Sequence, residues 1–205
     1  MKIGLIPVSA KPYHAGHHAL VEIAARENDS VILFVSTSDR TRKDELPIYG
    51  SDMINIWKNH IEKILPGNVD VQYGGSPVRK VYEALGDAEK VGSKDTFTVY
   101  SDPTDTARNY PESSRVKNFA DLYTAGQVLF AAEENPKMFT RGKGTPDVSG
   151  TKIRAAIESG DIKTFTAGMP TGFDHRAVFD ILSSAKNAKN ESLIREYLCY
   201  ALKTI

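Results

Sequence analysis

Within the first 35 residues an apolar run, a helical stretch and a second apolar run follow one another, and this order constrains the fold more than any other feature. Residues 2–8 are continuously apolar after Lys2, as a parallel strand covered on both faces would be. Ala19, Leu20, Ile23 and Ala24 recur at helical spacing up to about Glu27, and Asn28-Asp29 breaks the pattern. Val31-Ile32-Leu33-Phe34-Val35 is the clearest strand in the chain. Strand, helix and strand at this spacing make a βαβ unit, with parallel strands and a right-handed crossover.

The alternation continues. It predicts a helix capped by Ser51, carrying Met53, Ile54, Trp57, Ile61 and Ile64 and ended by Pro66-Gly67, with Trp57 in the core. A strand over 69–73 follows, then a helix opened by Ser76-Pro77 with Val78, Val81, Tyr82 and Leu85 on one face. Further strands are expected over 96–100 and 127–131. Beyond Thr151 the periodic segments near 153–158, 176–186 and 192–203 all read as helices. The last carries a stripe of Leu193, Ile194, Tyr197, Leu198 and Ala201, suited to cover the core or to join a second copy in a homo-oligomer. The expected class is α/β: an open, mostly parallel sheet with helices on both faces over 1–158, and a helical C-terminal extension packed on it over 159–205.

Charge narrows the choice of partner. The chain balances 26 basic against 26 acidic side chains, so no net basic face favours nucleic acid or an anionic membrane. Its one cysteine, Cys199, excludes an intrachain disulfide and a cysteine-rich zinc module. No apolar run has the length of a membrane span, and the opening residues lack a signal-peptide layout. A cytoplasmic location is the expectation.

Three of the five histidines, His14, His17 and His18, fall within five residues at the first strand–helix junction. By composition a His-x-Gly-His string arises by chance in about 1% of such chains. Ligands of open α/β sheets bind beyond the carboxyl ends of the strands, where helix N-termini meet anions. Gly16 permits close backbone approach there, and His14 and His17, three apart, share a helical face. His18 lies outside this spacing and suits a packing role. No cysteine or carboxylate with zinc-ligand spacing stands nearby, so no protein-held metal is expected.

Val8-Ser9-Ala10-Lys11-Pro12-Tyr13-His14-Ala15-Gly16-His17 resembles the signature loop of the nucleotidyltransferase superfamily, His-x-Gly-His after a Pro-aromatic pair. Val148-Ser149-Gly150-Thr151-Lys152-Ile153-Arg154 resembles its second signature, Ser-x-Thr-x-x-Arg at the start of a late helix. In motif style the chain is most similar to nicotinamide-nucleotide adenylyltransferases, over roughly residues 1–158. The resemblance implies a Rossmann-like fold and transfer of a nucleoside monophosphate, AMP from ATP, to a phosphate-bearing small molecule such as nicotinamide mononucleotide. Pyrophosphate would be released, and Mg²⁺ would be bound mainly through the triphosphate.

It also implies roles. His14, His17 and Arg154 would be catalytic, and Ser9, Lys11, Gly16, Lys43, Asp102, Ser149 and Thr151 would bind nucleotide or phosphate. The triphosphate would face Ser149 and Arg154, with the acceptor phosphate on the opposite side near Ser9, Lys11 and Lys43. The Arg141-Gly142-Lys143-Gly144 turn is a candidate lid. One departure is Ala10, standing where the family often has an aromatic. Another is that the turn at Arg141 echoes the Arg-Thr-x-Gly of cytidylyltransferases, so CTP with a sugar or polyol phosphate is the alternative chemistry. A class I aminoacyl-tRNA synthetase shares the first loop, but no Lys-Met-Ser-Lys-Ser-type loop or basic tRNA-binding domain accompanies it. A non-catalytic nucleotide-binding module is the remaining alternative.

Overall fold

The structure, a computed structural model, describes residues 1–43 and 45–184. The expected helix at 192–203, its apolar stripe and Cys199 lie outside the described residues. Five strands, β1 (Lys2–Val8), β2 (Ser30–Val35), β3 (Val69–Tyr73), β4 (Thr96–Val99) and β5 (Val128–Phe130), form one sheet in the order β3-β2-β1-β4-β5. Every pairing is parallel, and β1 is central: Gly4 stands opposite Val31 on one side and Thr98 on the other. The direction of strand progression reverses between β1 and β4, which leaves a crevice beyond their carboxyl ends. This is the Rossmann-like arrangement.

Pleating sends alternate strand residues to opposite faces. Ile6, Val8, Leu33 and Val35 meet Val21 and Ala24 of α1 (Ala15–Glu27) and Met53 and Ile56 of α2 (Gly50–Ile56). Leu5, Phe34, Phe97 and Val99 meet Val81 and Leu85 of α3 (Pro77–Lys90) on the other face. Each such side chain contributes about 1.5–3 kcal/mol when fully buried, so both layers are needed to hold the sheet.

Between β4 and β5 run three short helices, α4 (Pro103–Asn109), α5 (Glu112–Asn118) and α6 (Ala120–Thr124). Then come α7 (Ala131–Glu134), α8 (Pro136–Phe139), α9 (Gly150–Ser159) and α10 (Ile162–Ala167), with residues 175–184 also helical. Phe165, Val178, Phe179 and Leu182 share the core of the α1 face, Phe165 and Phe179 meeting edge to face at 5.2 Å. Among the described residues no helix is long and apolar enough to cross a membrane.

Two local expectations need correction. The second helix is not capped by Ser51. It begins at Gly50, whose N–H donates to Asp39 Oδ1 at 2.7 Å, so a carboxylate from the preceding loop does the capping. It then widens into a π turn over Trp57–Ile61, and Trp57, at the start of that turn, is fully buried, as expected. The short helices α4 to α8 gave no periodic signal, because each has seven residues or fewer. Arg115 supports them from within: its guanidinium lies 3.7 Å from the centre of the Phe130 ring and pairs with Glu133.

Candidate active site

The loop from β1 to α1 turns sharply. Ala10 takes a left-handed backbone with φ of 48°, and the Lys11–Pro12 peptide is cis. A left-handed alanine costs roughly 1–2 kcal/mol, which the surrounding contacts must offset. The turn delivers His14 in extended conformation as the N-cap of α1, where Nδ1 accepts from Gly16 N at 3.2 Å. With Nδ1 accepting, the proton of the neutral ring sits on Nε2. A Cβ at position 16 would stand 3.0 Å from His14 Cε1, so the glycine makes this cap fit.

His17 follows one turn on. Its ring stacks on His14 at 3.8 Å between centroids, and on Tyr13 from the other side at 5.6 Å. Tyr13 is fully buried and leans edge-on against Trp57 at 4.7 Å. The histidine pair therefore rests on a rigid aromatic pile. His17 Nδ1 is buried and has no hydrogen-bond partner among the described residues. His18 points elsewhere, its Nδ1 3.1 Å from Tyr13 Oη, and holds that pile together. The first amides of α1 are already engaged: Ala15 N donates to Gly168 O at 2.9 Å and Gly16 N to His14. At this helix end it is side chains rather than free N–H groups that line the opening.

A cleft of about 320 Å³ opens beyond the ends of β1 and β4, at the reversal of strand order. Ser9, His14, Gly16 and His17 form one wall. The β4–α4 segment forms another with Ser101, Asp102, Asp105 and Arg108; Asp102 caps α4 by accepting from Asp105 N at 2.8 Å, and Arg108 pairs with Asp105. Arg141 and Thr145 close a third side, and Ser76 to Val78, opening α3, a fourth. Sequence reasoning did not single out Asp105 or Arg108. The Asp102-Pro103 pair is the cue that would have found them, since an Asp cap followed by proline starts a helix and puts residues three and six further on near its mouth.

Burial, and secondarily the positive charge of Arg141, brings the His14 pKa from 6.5 down to about 4. Burial, His14 and Arg141 depress His17 well below its ordinary value. Both rings are neutral at pH 7. Because the unfolded chain binds the His14 proton more readily than the folded one, this contribution to stability is complete above pH 6.5 and is lost as pH falls towards 4. The depression corresponds to on the order of 3 kcal/mol for His14, and His17 acts in the same sense. Thermal melts between pH 7.5 and 4.5 should therefore show a steeper loss of Tm in the wild type than in His14→Gln. Parallel curves for the two proteins would refute the assignment.

The second motif lies behind the same loop. Ser149 caps α9, its Oγ accepting from Lys152 N at 3.2 Å. Arg154 is buried; Nη1 donates to Lys11 O at 2.8 Å, Nη2 to Thr151 Oγ1 at 3.1 Å, and Nε lies 3.3 Å from Glu45 Oε2. A Cβ at Gly150 would stand 3.0 Å from Arg154 Nη1 and 3.3 Å from Lys11 O, so glycine lets the helix start lie close against both. Lys11 turns its ammonium away from the cleft, donating to the carbonyls of Ser36 (3.3 Å) and Ser38, and burial lowers its pKa. Lys43 is exposed on the loop after β2. The expectation that Arg154 and Lys11 face each other across the cleft is thus corrected. Both belong to the back of one loop, because the turn at Ala10 folds the Lys11 carbonyl towards α9. Ser9, His14, Gly16, His17 and Asp102 are brought together on the cleft wall; Lys11, Lys43, Ser149, Thr151 and Arg154 are not.

Fold and site together define a Rossmann-like α/β protein whose switch-point cleft is walled by a neutral, stacked histidine pair and faced by arginines. The family described as the citrate lyase ligase C-terminal domain matches residues 3–69, from β1 to the first residue of β3. That stretch includes the histidine motif and stops well short of Ser149. The likeness is consistent with the broad nucleotidyltransferase superfamily and with an adenylyltransferase-like transferase. A comparison with curated proteins finds no match.

Proposed function

We propose that the chain transfers AMP from ATP to a phosphate-bearing small molecule, nicotinamide mononucleotide being one such acceptor, and releases pyrophosphate. The observation that carries this reading is the meeting of the two motifs: Arg154 donates to the Lys11 carbonyl across 143 positions of sequence, directly behind the loop that presents His14 and His17. An acceptor phosphate is anionic at pH 7 and needs no strong base. Its oxygen attacks the α-phosphorus while the bond to the bridging β-phosphate oxygen breaks, and the electron pair leaves with pyrophosphate. The work left to the protein is alignment and charge stabilisation. The Nε2–H of His14, fixed by the cap bond, and the ring of His17 are neutral donors aimed at an α-phosphoryl group in the cleft. Arg141, at the cleft mouth, offsets the charge of the entering phosphates. Mg²⁺ would enter on the triphosphate and supply charge neutralisation; Asp102 and Asp105, both lining the cleft, are the carboxylates that would meet its water shell.

A second reading draws on the citrate lyase ligase likeness: the acceptor is a carboxylate that becomes an acyl adenylate. Pyrophosphate release, measured with each of the four nucleoside triphosphates against phosphate-bearing and carboxylate acceptors, separates the two. ATP-dependent release with phosphate-bearing acceptors is the expected result. Release only with carboxylates selects the second reading. CTP binding at least tenfold tighter than ATP, about 1.4 kcal/mol, overturns adenylyl transfer in favour of cytidylyl transfer.

A further inference from the structure

Behind the β1–α1 loop, one carboxylate serves two guanidinium groups. Glu45 Oε2 accepts from Arg40 Nε at 2.9 Å and Arg40 Nη2 at 2.6 Å, and the same oxygen lies 3.3 Å from Arg154 Nε. We propose that Glu45 is a resident stand-in for a phosphate group: its carboxylate fills an anion pocket between Arg40 and Arg154 that the polyphosphate of the substrate takes over by displacing it. The ligand class rests on the nucleotidyl-transfer reading above.

Charge counting supports the pocket. Among the described residues, Arg40 and Arg154 both pair with the Glu45 carboxylate, and Arg42 adds further positive potential at both Glu45 and Arg154. Burial, and after it the neighbouring Arg40 charge, lower the Arg154 pKa, while Glu45 opposes the shift. A phosphate group brings more negative charge and three acceptor oxygens, which suits two forked guanidinium groups better than one carboxylate oxygen does.

Exposure supports displacement. The Arg154 side chain is 8% exposed and that of Glu45 32%, so the carboxylate is the solvent-side member of the pair. In the proposed exchange it would turn about its own side-chain bonds towards water. Arg154 is meanwhile held in place from behind by its bonds to Lys11 O and Thr151 Oγ1. The pocket would therefore stay formed when Glu45 departs. An internal anion of this kind lowers the apparent affinity for the ligand it imitates, by the fraction of time it occupies the site.

The test is calorimetric titration of the full chain with inorganic pyrophosphate alone, at low salt. Glu45→Gln keeps the size of the side chain and removes its charge, and should bind pyrophosphate at least tenfold more tightly than the wild type. The double variant Glu45→Gln with Arg154→Ala should lose that gain, which distinguishes this pocket from pyrophosphate held only by the histidine cleft. Equal or weaker binding by Glu45→Gln, or a gain that survives loss of Arg154, overturns the proposal. Should Glu45→Gln not fold, the wild type gives the answer by arginine-selective NMR. The Nε–Hε signals of Arg40 and Arg154 should shift together as pyrophosphate is added, and signals unmoved at saturation overturn it. No turnover is needed in either experiment. A tenfold gain in a protein that transfers no nucleotide upholds the pocket and removes the proposed activity; active transfer with unchanged pyrophosphate affinity does the reverse.

Discussion

His17→Ala is expected to lower the rate of nucleotidyl transfer by about 10²–10³, the usual loss when one donor to a developing phosphoryl or oxyanion charge is removed. The melting temperature should hardly move. The variant forfeits a stack on His14 and Tyr13, a type of contact worth about 0.5–1.5 kcal/mol. It also removes a buried Nδ1 that has no partner among the described residues, and leaving such an atom unsatisfied costs about 1–3 kcal/mol. The two effects oppose each other. His14→Ala provides the contrast: it also deletes the cap on Gly16 N, at a typical cost of about 0.5–2 kcal/mol, so it should be both inactive and less stable. Single-turnover rates and thermal melts on the two variants measure both quantities. A His17→Ala protein that melts many degrees lower yet turns over normally would make the ring a structural support and nothing more.

What the sequence revealed and what it hid follow from the range of the interactions. Strands β1 and β2 and helices α1 and α3 are legible because each is long enough to show its pattern and is bounded by strong breakers, such as Asn28-Asp29 or Ser76-Pro77; β4 and β5 show only as short runs, and the strand expected over 127–131 gives way to α7 at Ala131. Parallel pairing followed from their alternation. The His-x-Gly-His string was readable for the same reason, since its spacing and its place at a strand end are both local. The cap of α2 was hidden, because Asp39 reaches Gly50 from eleven residues upstream and displaces the nearer hydroxyl of Ser51. In the sequence Tyr13 is only the aromatic of a motif; its place against His17 and Trp57, which arrives from another helix, is a matter of the fold. The direction of Lys11 was not readable at all. A lysine in a loop beside a phosphate motif suggests a phosphate ligand, yet here the carbonyls at the end of β2 need a donor and take it. Arg154 is the same lesson at longer range: its position on α9 was foreseen, but not its partners, Lys11 O and Glu45.

Those partners change what its removal should do. Arg154→Ala is expected to weaken triphosphate binding by about ten- to a hundredfold, because a charge-assisted hydrogen bond is worth roughly 1.5–3 kcal/mol. The loss should be larger at low salt, where ionic contacts are less screened. A free surface arginine would leave stability and acceptor binding untouched, and Arg154 is neither free nor on the surface. Truncation deprives the buried Lys11 carbonyl of its donor, which costs about 1–3 kcal/mol. For a chain of this size that lowers Tm by roughly 2–4 °C per kcal/mol. The same carbonyl lies in the loop that carries Ser9 and His14, so acceptor affinity should fall as well, though less than triphosphate affinity. Arg154→Lys should recover only part of either loss, since an ammonium cannot reach the Lys11 carbonyl, Thr151 and an anion from one planar fork. Calorimetric titration of ATP and of the acceptor separately, with melts on the same samples, resolves the three effects. Unchanged ATP affinity alongside a lowered Tm would make Arg154 a clamp for the loop alone, and the Ser149–Arg154 stretch would then resemble a phosphate motif without serving as one.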